Sequence, residues 1–249
     1  MEHISKAQVK LIRSLQQKKY RDELGLFVAE GEKCVEELSR AFDLVTRVCE
    51  GENATRTEIE QMSGLQTPQG VIGVFRKPEF TNQPFAIPND LTLALDGIQN
   101  PGNLGTIIRT CDWFGVHDIY CSRDTADCFN PKVVQATMGA LARVRIHYVD
   151  LPAWLTEMKN REQGVKIYGT LLEGLNMYEV LDGEKGLNST PGIIIMGNEG
   201  NGISEEVKKY ISCAIRIPAY NPKDSEVIES LNVSIATAIV LAEFRRLSR

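Results

Sequence analysis

Apolar and polar positions alternate in short blocks along the whole 249-residue chain. Near the start, Ala7, Leu11 and Leu15 recur at helical spacing, with Ile12 beside them. Ser5 followed three residues later by Gln8 makes a capping box, and Ile4 and Val9 can close a hydrophobic staple around it. Strands are predicted over 24–29, 44–49 and 71–75, with a helix over 32–38 between the first two, so the chain opens with a small α/β unit. From Lys77 to Asn89 the periodicity stops, because Pro78, Pro84 and Pro88 interrupt a polar stretch. The reading is a first domain over 1–77, a linker over 78–89 and a second domain over 90–249.

The second domain begins with a buried-type strand, 91–95, then a glycine-rich loop, 96–105, and a helix through Ile107, Ile108, Cys111 and Phe114. Further strands are predicted over 115–121, 144–149, 165–171, 193–196 and 213–217. Helices are predicted after Asn130-Pro131, over Leu151–Met158, and from Ser204 through Val207 to Ile211; 173–191 reads as loop-rich. The stretch 229–239 starts polar and runs into an apolar helix. There Leu231, Ile235, Ile239 and Ala242 recur at helical spacing, and Val240 and Phe244 extend the same side. Ser230 and Asn232 fall at the helix start, where unpaired N–H groups gather. Taken alone, this stretch is an N-cap followed by a core helix.

Composition narrows the class. Six scattered cysteines contain no C-x-x-C pair and the three histidines do not cluster with them, so no zinc site is expected. A charged N-terminus argues against a signal peptide, and no apolar run could span a bilayer; a reduced, cytoplasmic protein is expected. The net charge of -5 speaks mildly against a nucleic-acid partner. Its distribution speaks the other way. Lys6, Lys10, Arg13, Lys18, Lys19 and Arg21 face only Glu2 before Asp22 begins, a local basic surface suited to RNA phosphates. A solvated helix face would explain the same residues more simply.

Three strands end in loops rich in Gly, Asn and Pro: 100–105, 197–202 and 218–232. A parallel sheet gathers such ends at one edge, where α/β proteins bind ligands. None fits the dinucleotide fingerprint, and there is neither a P-loop nor a nucleophile elbow. Arg109 lies in an apolar helix six residues after Asn103, so it either snorkels or holds an anion.

Together the three segments resemble the ordered motifs of the SpoU (TrmH-type) RNA ribose methyltransferases of the SPOUT superfamily. Motif 1 is similar to Asn100-Pro101-Gly102-Asn103-Leu104-Gly105-Thr106-Ile107-Ile108-Arg109-Thr110, and motif 2 to Met196-Gly197-Asn198-Glu199-Gly200-Asn201-Gly202-Ile203-Ser204. Motif 3 is similar to Ile217-Pro218 with Ser230-Leu231-Asn232-Val233-Ser234. The resemblance covers about residues 90–249. The N-terminal unit more loosely resembles the family's substrate-binding domain.

The resemblance implies an α/β fold: a C-terminal, mostly parallel sheet flanked by helices and tied in a trefoil knot, with a small N-terminal α/β substrate-binding domain. It implies S-adenosylmethionine as cofactor, RNA as partner and a homodimer with the active site at the subunit interface, without membrane or metal. Met196, Gly197, Ile217 and Leu231 would hold the cofactor, largely by backbone contacts. Asn103, Arg109, Glu199, Ser230 and Asn232 would form the catalytic group, with Glu199 holding the loops in place. An arginine stays protonated, so Arg109 is read as a phosphate anchor that also stabilises the forming alkoxide, rather than as a base. One departure stands out: the segment from Pro218 to Ser230 is longer than the short turn usual in the family.

Three functions remain distinct at this point. The first is methyl transfer to a ribose 2′-hydroxyl, with ribosomal RNA a better match than transfer RNA to an N-terminal unit of this kind. The second is an RNA-binding protein on the same scaffold without catalysis, which the joint presence of Asn103, Arg109, Ser230 and Asn232 disfavours. The third is a base methyltransferase, which Ser230-Leu231-Asn232 disfavours.

Overall fold

A computed structural model describes residues 3–78, 91–161, 165–183, 192–220 and 230–247. The chain forms two compact units: Met1–Gln83 with Leu104–Arg109 and Asp127–Arg143, and the remainder.

The first unit contains α1 (Lys6–Ser14), α2 (Lys18–Leu24), β1 (Leu26–Glu30), α3 (Glu32–Leu38), β2 (Leu44–Cys49), α4 (Arg56–Met62) and β3 (Val71–Arg76). Its three strands pair antiparallel in the order β1-β3-β2. The middle of α5 (Pro101–Trp113) and the whole of α6 (Pro131–Thr137) pack within this unit. Gly105 of α5 permits that packing, since a Cβ there would lie 2.5 Å from the Ala136 Cβ of α6. Ser5 and Gln8 form the expected capping box. The buried face of α1 is Val9, Ile12 and Leu15, while Ala7 and Leu11 are exposed. The staple residues Ile4 and Val9 both enter the core and set that rotation. Two helices lie outside the predicted elements. One is α2, polar almost throughout. It takes in Leu24, which the sequence pattern places in the strand over 24–29, and ends at Gly25 in the left-handed region (φ 63°). The other is α4, capped by a Thr55–Glu58 box.

Arg21 corrects the predicted basic surface. It is 1% exposed. Its Nε and Nη2 donate to Asp127 Oδ2 at 3.2 and 2.7 Å, and its Nη1 donates to the carbonyls of Leu15 and Gln16 at 2.9 and 3.0 Å. The guanidinium thus closes the C-terminal end of α1 and neutralises a nearly buried carboxylate, which leaves it no face for RNA. Lys18 is exposed but held by Asp22 at 2.5 Å. Lys6, Lys10, Arg13 and Lys19 are exposed.

The second unit is a six-stranded sheet. It comprises β4 (Thr92–Asp96), β5 (Asp118–Ser122), β6 (Arg145–Val149), β7 (Lys166–Asn176), β8 (Gly192–Gly197) and β9 (Cys213–Arg216), with α7 (Leu151–Arg161), α8 (Met177–Gly183), α9 (Glu205–Lys208) and α10 (Val233–Leu247). The order is β6-β5-β4-β8-β7-β9 and every pairing is parallel. Ala94, Tyr120, Ile167, Ile193 and Ile195 pack with Trp154, Leu155 and Met158 of α7. Tyr168 meets Phe244 of α10 edge-on at 4.9 Å between centroids. A sheet buried on both faces explains the continuous apolar run of β8.

Two expectations need correction here. The first concerns 173–191. Strand β7 continues to Asn176 and α8 follows directly; 184–191 lie outside the described residues. β7 survives because its pairing with β9 resumes, after a shift between Thr170 and Leu175, at Leu175↔Ile215 and Asn176↔Arg216. Gly174 makes the close approach possible, since a Cβ there would lie 2.5 Å from the Ile215 carbonyl carbon. The second concerns α10, whose buried residues are Val233, Ser234, Thr237, Val240, Leu241 and Phe244, whereas Leu231 and Ile235 are 50% and 54% exposed.

On β5, Asp118 accepts from His147 Nε2 at 2.8 Å and from Arg145 Nε at 2.7 Å. Burial pushes this carboxyl up, but the two donors and their charges outweigh burial and hold it well below the usual carboxylate range. A depressed folded-state value contributes stability that is complete above the unfolded value of about 4 and is lost as pH falls below it. The gap in urea midpoint between the protein and its Asp118→Asn variant is therefore expected at neutral pH and should narrow as pH drops below about 4. An unchanged gap would contradict this.

Candidate active site at the carboxyl ends of β4 and β8

Strands β4 and β8 are neighbours, and Asp96 pairs with Gly197 at their ends. The turn after each therefore opens on the same edge of the sheet. After β4, Asn100 caps α5: its Oδ1 accepts from the N–H groups of Gly102 and Asn103 at 2.8 and 3.2 Å. Pro101 occupies the first turn, where a missing N–H costs nothing. After β8, the chain folds back on itself through paired Asn198 and Gly202 backbone bonds of 2.9 Å each. Gly197 must be bare, because a Cβ there would collide with the backbone of Gly202 and Ile203.

Three of the expected catalytic residues meet directly. Asn103 Nδ2 donates to Glu199 Oε1. Asn232 Nδ2 donates to Asn103 Oδ1 at 3.0 Å. Asn232 Oδ1 accepts from the N–H and hydroxyl of Ser234 at 3.0 and 2.6 Å, and so caps α10. The direction of this chain is fixed at both ends. A carboxylate can only accept, so Asn103 turns its NH₂ to Glu199 and its oxygen to Asn232. A helix N–H can only donate, so Asn232 turns its oxygen to Ser234 and its NH₂ to Asn103. The two amides can take no other orientation without leaving a clash of like groups.

Spare capacity follows. Asn103 retains one N–H and one lone pair, and Asn232 retains one N–H, for a bound molecule. Ser230 is exposed two residues before Asn232. Arg109 is exposed but does not join the group. It lies six residues beyond Asn103 on α5, about 9 Å along the axis and about 120° round it.

The expected cofactor residues divide. Met196 is 2% exposed, and its sulfur accepts from Thr170 Oγ1 at 3.6 Å, so only its backbone could serve a ligand. Gly197 and Ile217 are half-buried, and Leu231 is half exposed at the foot of α10. The long segment that follows Pro218 falls largely on 221–229, outside the described residues. Neither Asp96 nor Asn198 stands out in the sequence, yet both bind the turns: Asp96 Oδ2 accepts from Ser204 N at 2.7 Å, and Asn198 Nδ2 donates to Gly97 O at 2.7 Å. Both lie within the expected loops 96–105 and 197–202, and their place there is the only sequence signal for this.

A family model, SpoU rRNA Methylase, matches residues 90–242, and an MRM3-like substrate binding domain matches residues 6–58. The chain is 30% identical over 261 residues to the 23S rRNA (guanosine(2553)-2′-O)-methyltransferase RlmP of Bacillus subtilis, covering 98% of each. Among solved structures it resembles a TrmH-family protein from Porphyromonas gingivalis, with TM-score 0.82, 37% identity and 98% of each chain covered. It also resembles an AdoMet-bound rRNA methyltransferase from Sinorhizobium meliloti, with TM-score 0.80, 32% identity and 99% and 97% covered.

Proposed function

The chain belongs to the SpoU rRNA methylase family, and from that premise we propose that it transfers a methyl group from S-adenosylmethionine to a ribose 2′-hydroxyl of structured RNA, with ribosomal RNA as the substrate. The observation that carries this reading is the Glu199–Asn103–Asn232 hydrogen-bond chain, which joins three sequence-distant segments at one sheet edge.

The residues present suit the cofactor. Gly197 and the buried Met196 offer backbone rather than side chains, and Leu231 and Ile217 are apolar and not buried. These four would hold it by backbone and apolar contacts. When bound, it supplies an activated methyl group on a sulfonium. The chain's own residues orient the acceptor. Asn103 and Asn232 each have an N–H left for ribose oxygens, and Ser230 adds a hydroxyl. Holding the 2′-oxygen in line is worth about 7–11 kcal/mol in well-oriented systems. Arg109 clamps a neighbouring phosphate with its planar fork and stabilises the negative charge that develops on the 2′-oxygen as its proton passes to a water molecule.

Arg109 points away from Asn103 on its helix, which favours a site completed by a second copy of the chain. The exposed apolar residues of the second unit support that homodimer: Leu231, Ile235 and Trp113, the last 84% exposed. Trp113 lies on α5, Ile235 on α10 and Leu231 just before it, and the two segments are tied at both ends, by Asn232 to Asn103 and by Arg245 Nε to Phe114 O at 2.7 Å. The trefoil knot belongs to the same reading. β9 follows β8 in sequence but pairs beyond β7, and α10 then returns to Asn103. Residues 1–77 serve as the RNA-binding domain, through Lys6, Lys10, Arg13 and Lys19, with 78–89 as linker and 90–249 as catalytic domain.

Calorimetry should register one cofactor site per chain, and sedimentation should give a dimer. No heat of binding would end the methyltransferase reading. Arg109→Lys is expected to lower turnover toward the ~10²-fold loss typical of deleting one charge-stabilising donor. Full retention of activity would remove the bidentate clamp.

A further inference from the structure

We propose that Asn198 is a positioning residue for methyl transfer, acting through Glu199 on Asn103; this rests on the reading above. Its side chain uses both ends. Nδ2 donates to Gly97 O at 2.7 Å, and Oδ1 accepts from the N–H groups of Gly200 and Asn201 at 2.9 and 3.1 Å. One amide thus ties the turn after β4 to the turn after β8, immediately beside Glu199.

The residue it grips is held through its preceding peptide as well. Gly97 N donates to Ser122 Oγ at 2.8 Å, and Ser122 Oγ donates to Asp124 Oδ1 at 2.5 Å. Gly97 itself sits at φ 71°, where an L side chain is strained, and a Cβ would lie 3.2 Å from Asp124 Oδ2. Asp96, 8% exposed, fastens the far side of the β8 turn through Ser204 N. The β4 turn is therefore clamped between its two neighbours, and Asn198 is the clamp that also carries Glu199.

The consequence is specific. Glu199 is exposed at the tip of a turn whose own Asn198–Gly202 backbone bonds close it but do not tie it to the β4 turn. With Asn198 bridging to Gly97, the carboxylate stands at a set distance from α5, and the Asn103 amide is oriented for the ribose. Without the bridge, Glu199 keeps its charge but loses its place.

Two variants separate this from plain structural support. Asn198→Asp keeps the acceptor for Gly200 and Asn201 and sets a charged oxygen against Gly97 O in place of the donor; Asn198→Ala removes both bonds without adding charge. With the full-length protein, S-adenosylmethionine and ribosomal RNA, both should lower kcat at least tenfold while KM for RNA moves less than threefold. In an Asn103→Ala background the same changes should cost little more, because they act through one chain. The ¹⁵N spectrum supplies a readout independent of activity: the Asn103 side-chain amide should shift in both variants, with the backbone spectrum remaining folded. Unchanged kcat, losses that multiply fully with Asn103→Ala, or an unmoved Asn103 amide would overturn the proposal. If Asn198→Ala does not fold, Asn198→Asp decides by the same criteria. If the unaltered protein transfers no methyl group, the functional reading fails, and the amide shift still tests the linkage.

Discussion

Asn103→Ala is expected to lower kcat for methyl transfer by about 10²-fold or more, the loss that follows when a reacting group is misplaced by about 1 Å. Asn103 is the middle member of the chain from Glu199 to Asn232, so its removal frees both ends at once. Cofactor affinity should change far less, because the residues read as cofactor contacts, Met196, Gly197, Ile217 and Leu231, do not include Asn103. Asn103 and Asn232 work as one unit. The double variant Asn103→Ala/Asn232→Ala should therefore be only slightly worse than either single one, whereas independent contributions would multiply. Steady-state kinetics with ribosomal RNA and a labelled methyl donor, beside calorimetry of cofactor binding, checks both parts. A kcat within threefold of the unaltered protein would remove Asn103 from the site.

The second large effect concerns stability. Arg21→Met is expected to destabilise the first unit by about 3–5 kcal/mol, the usual consequence of leaving one charge of a buried pair uncompensated. Asp127 is 11% exposed at its side chain, so the orphaned carboxylate has little access to water. The carbonyls of Leu15 and Gln16 lose their donor as well. Thermal unfolding of that unit should start about 12–20 °C lower, at about 4 °C per kcal/mol for a unit of this size. Arg21→Met with Asp127→Leu should recover much of the loss, since a matched apolar pair often replaces a buried ion pair without penalty. RNA affinity should separate the roles. Lys10→Ala should reduce the salt dependence of binding by roughly 0.7–0.9 of a released counterion, and Arg21→Met should not. A stable Arg21→Met protein with weakened RNA binding would return Arg21 to the surface.

The case of Arg21 shows where sequence reasoning ends. Six cations in the first 21 residues look alike on paper, yet one of them reaches 106 positions along the chain to Asp127 and disappears into the interior. No local pattern encodes such a partner. In contrast, the Ser5–Gln8 capping box, the alternation of strands and helices and the two polar turns after β4 and β8 are legible, because each depends on neighbours a few residues away. The α10 face was misjudged for a related reason. Leu231, Ile235 and Ile239 have helical spacing, but Thr237 and Ser234 lie on the buried side, since small residues let the helix settle against the sheet. Periodicity names a stripe without saying which surface will cover it. The extension of β7 was hidden too, because its polar and glycine content reads as loop, and only the distant β9 ladder makes it strand. The grouping of Asn103, Glu199 and Asn232 is expected from motif order, whereas the hydrogen-bond polarity that orients them depends on which groups the fold brings opposite each amide. Asn198 and Asp96 escaped notice because their partners, Gly97 and Ser204, are backbone groups that leave no mark in the sequence.

The most direct measurement digests ribosomal RNA after incubation with purified protein and S-adenosylmethionine labelled in its methyl group. Methylation at a ribose 2′-oxygen blocks alkaline cleavage at that nucleotide, so the label should appear in an alkali-resistant dinucleotide, and it should vanish with the Asn103→Ala variant. Label recovered on a free base, or no transfer to any RNA despite bound cofactor, would contradict the account.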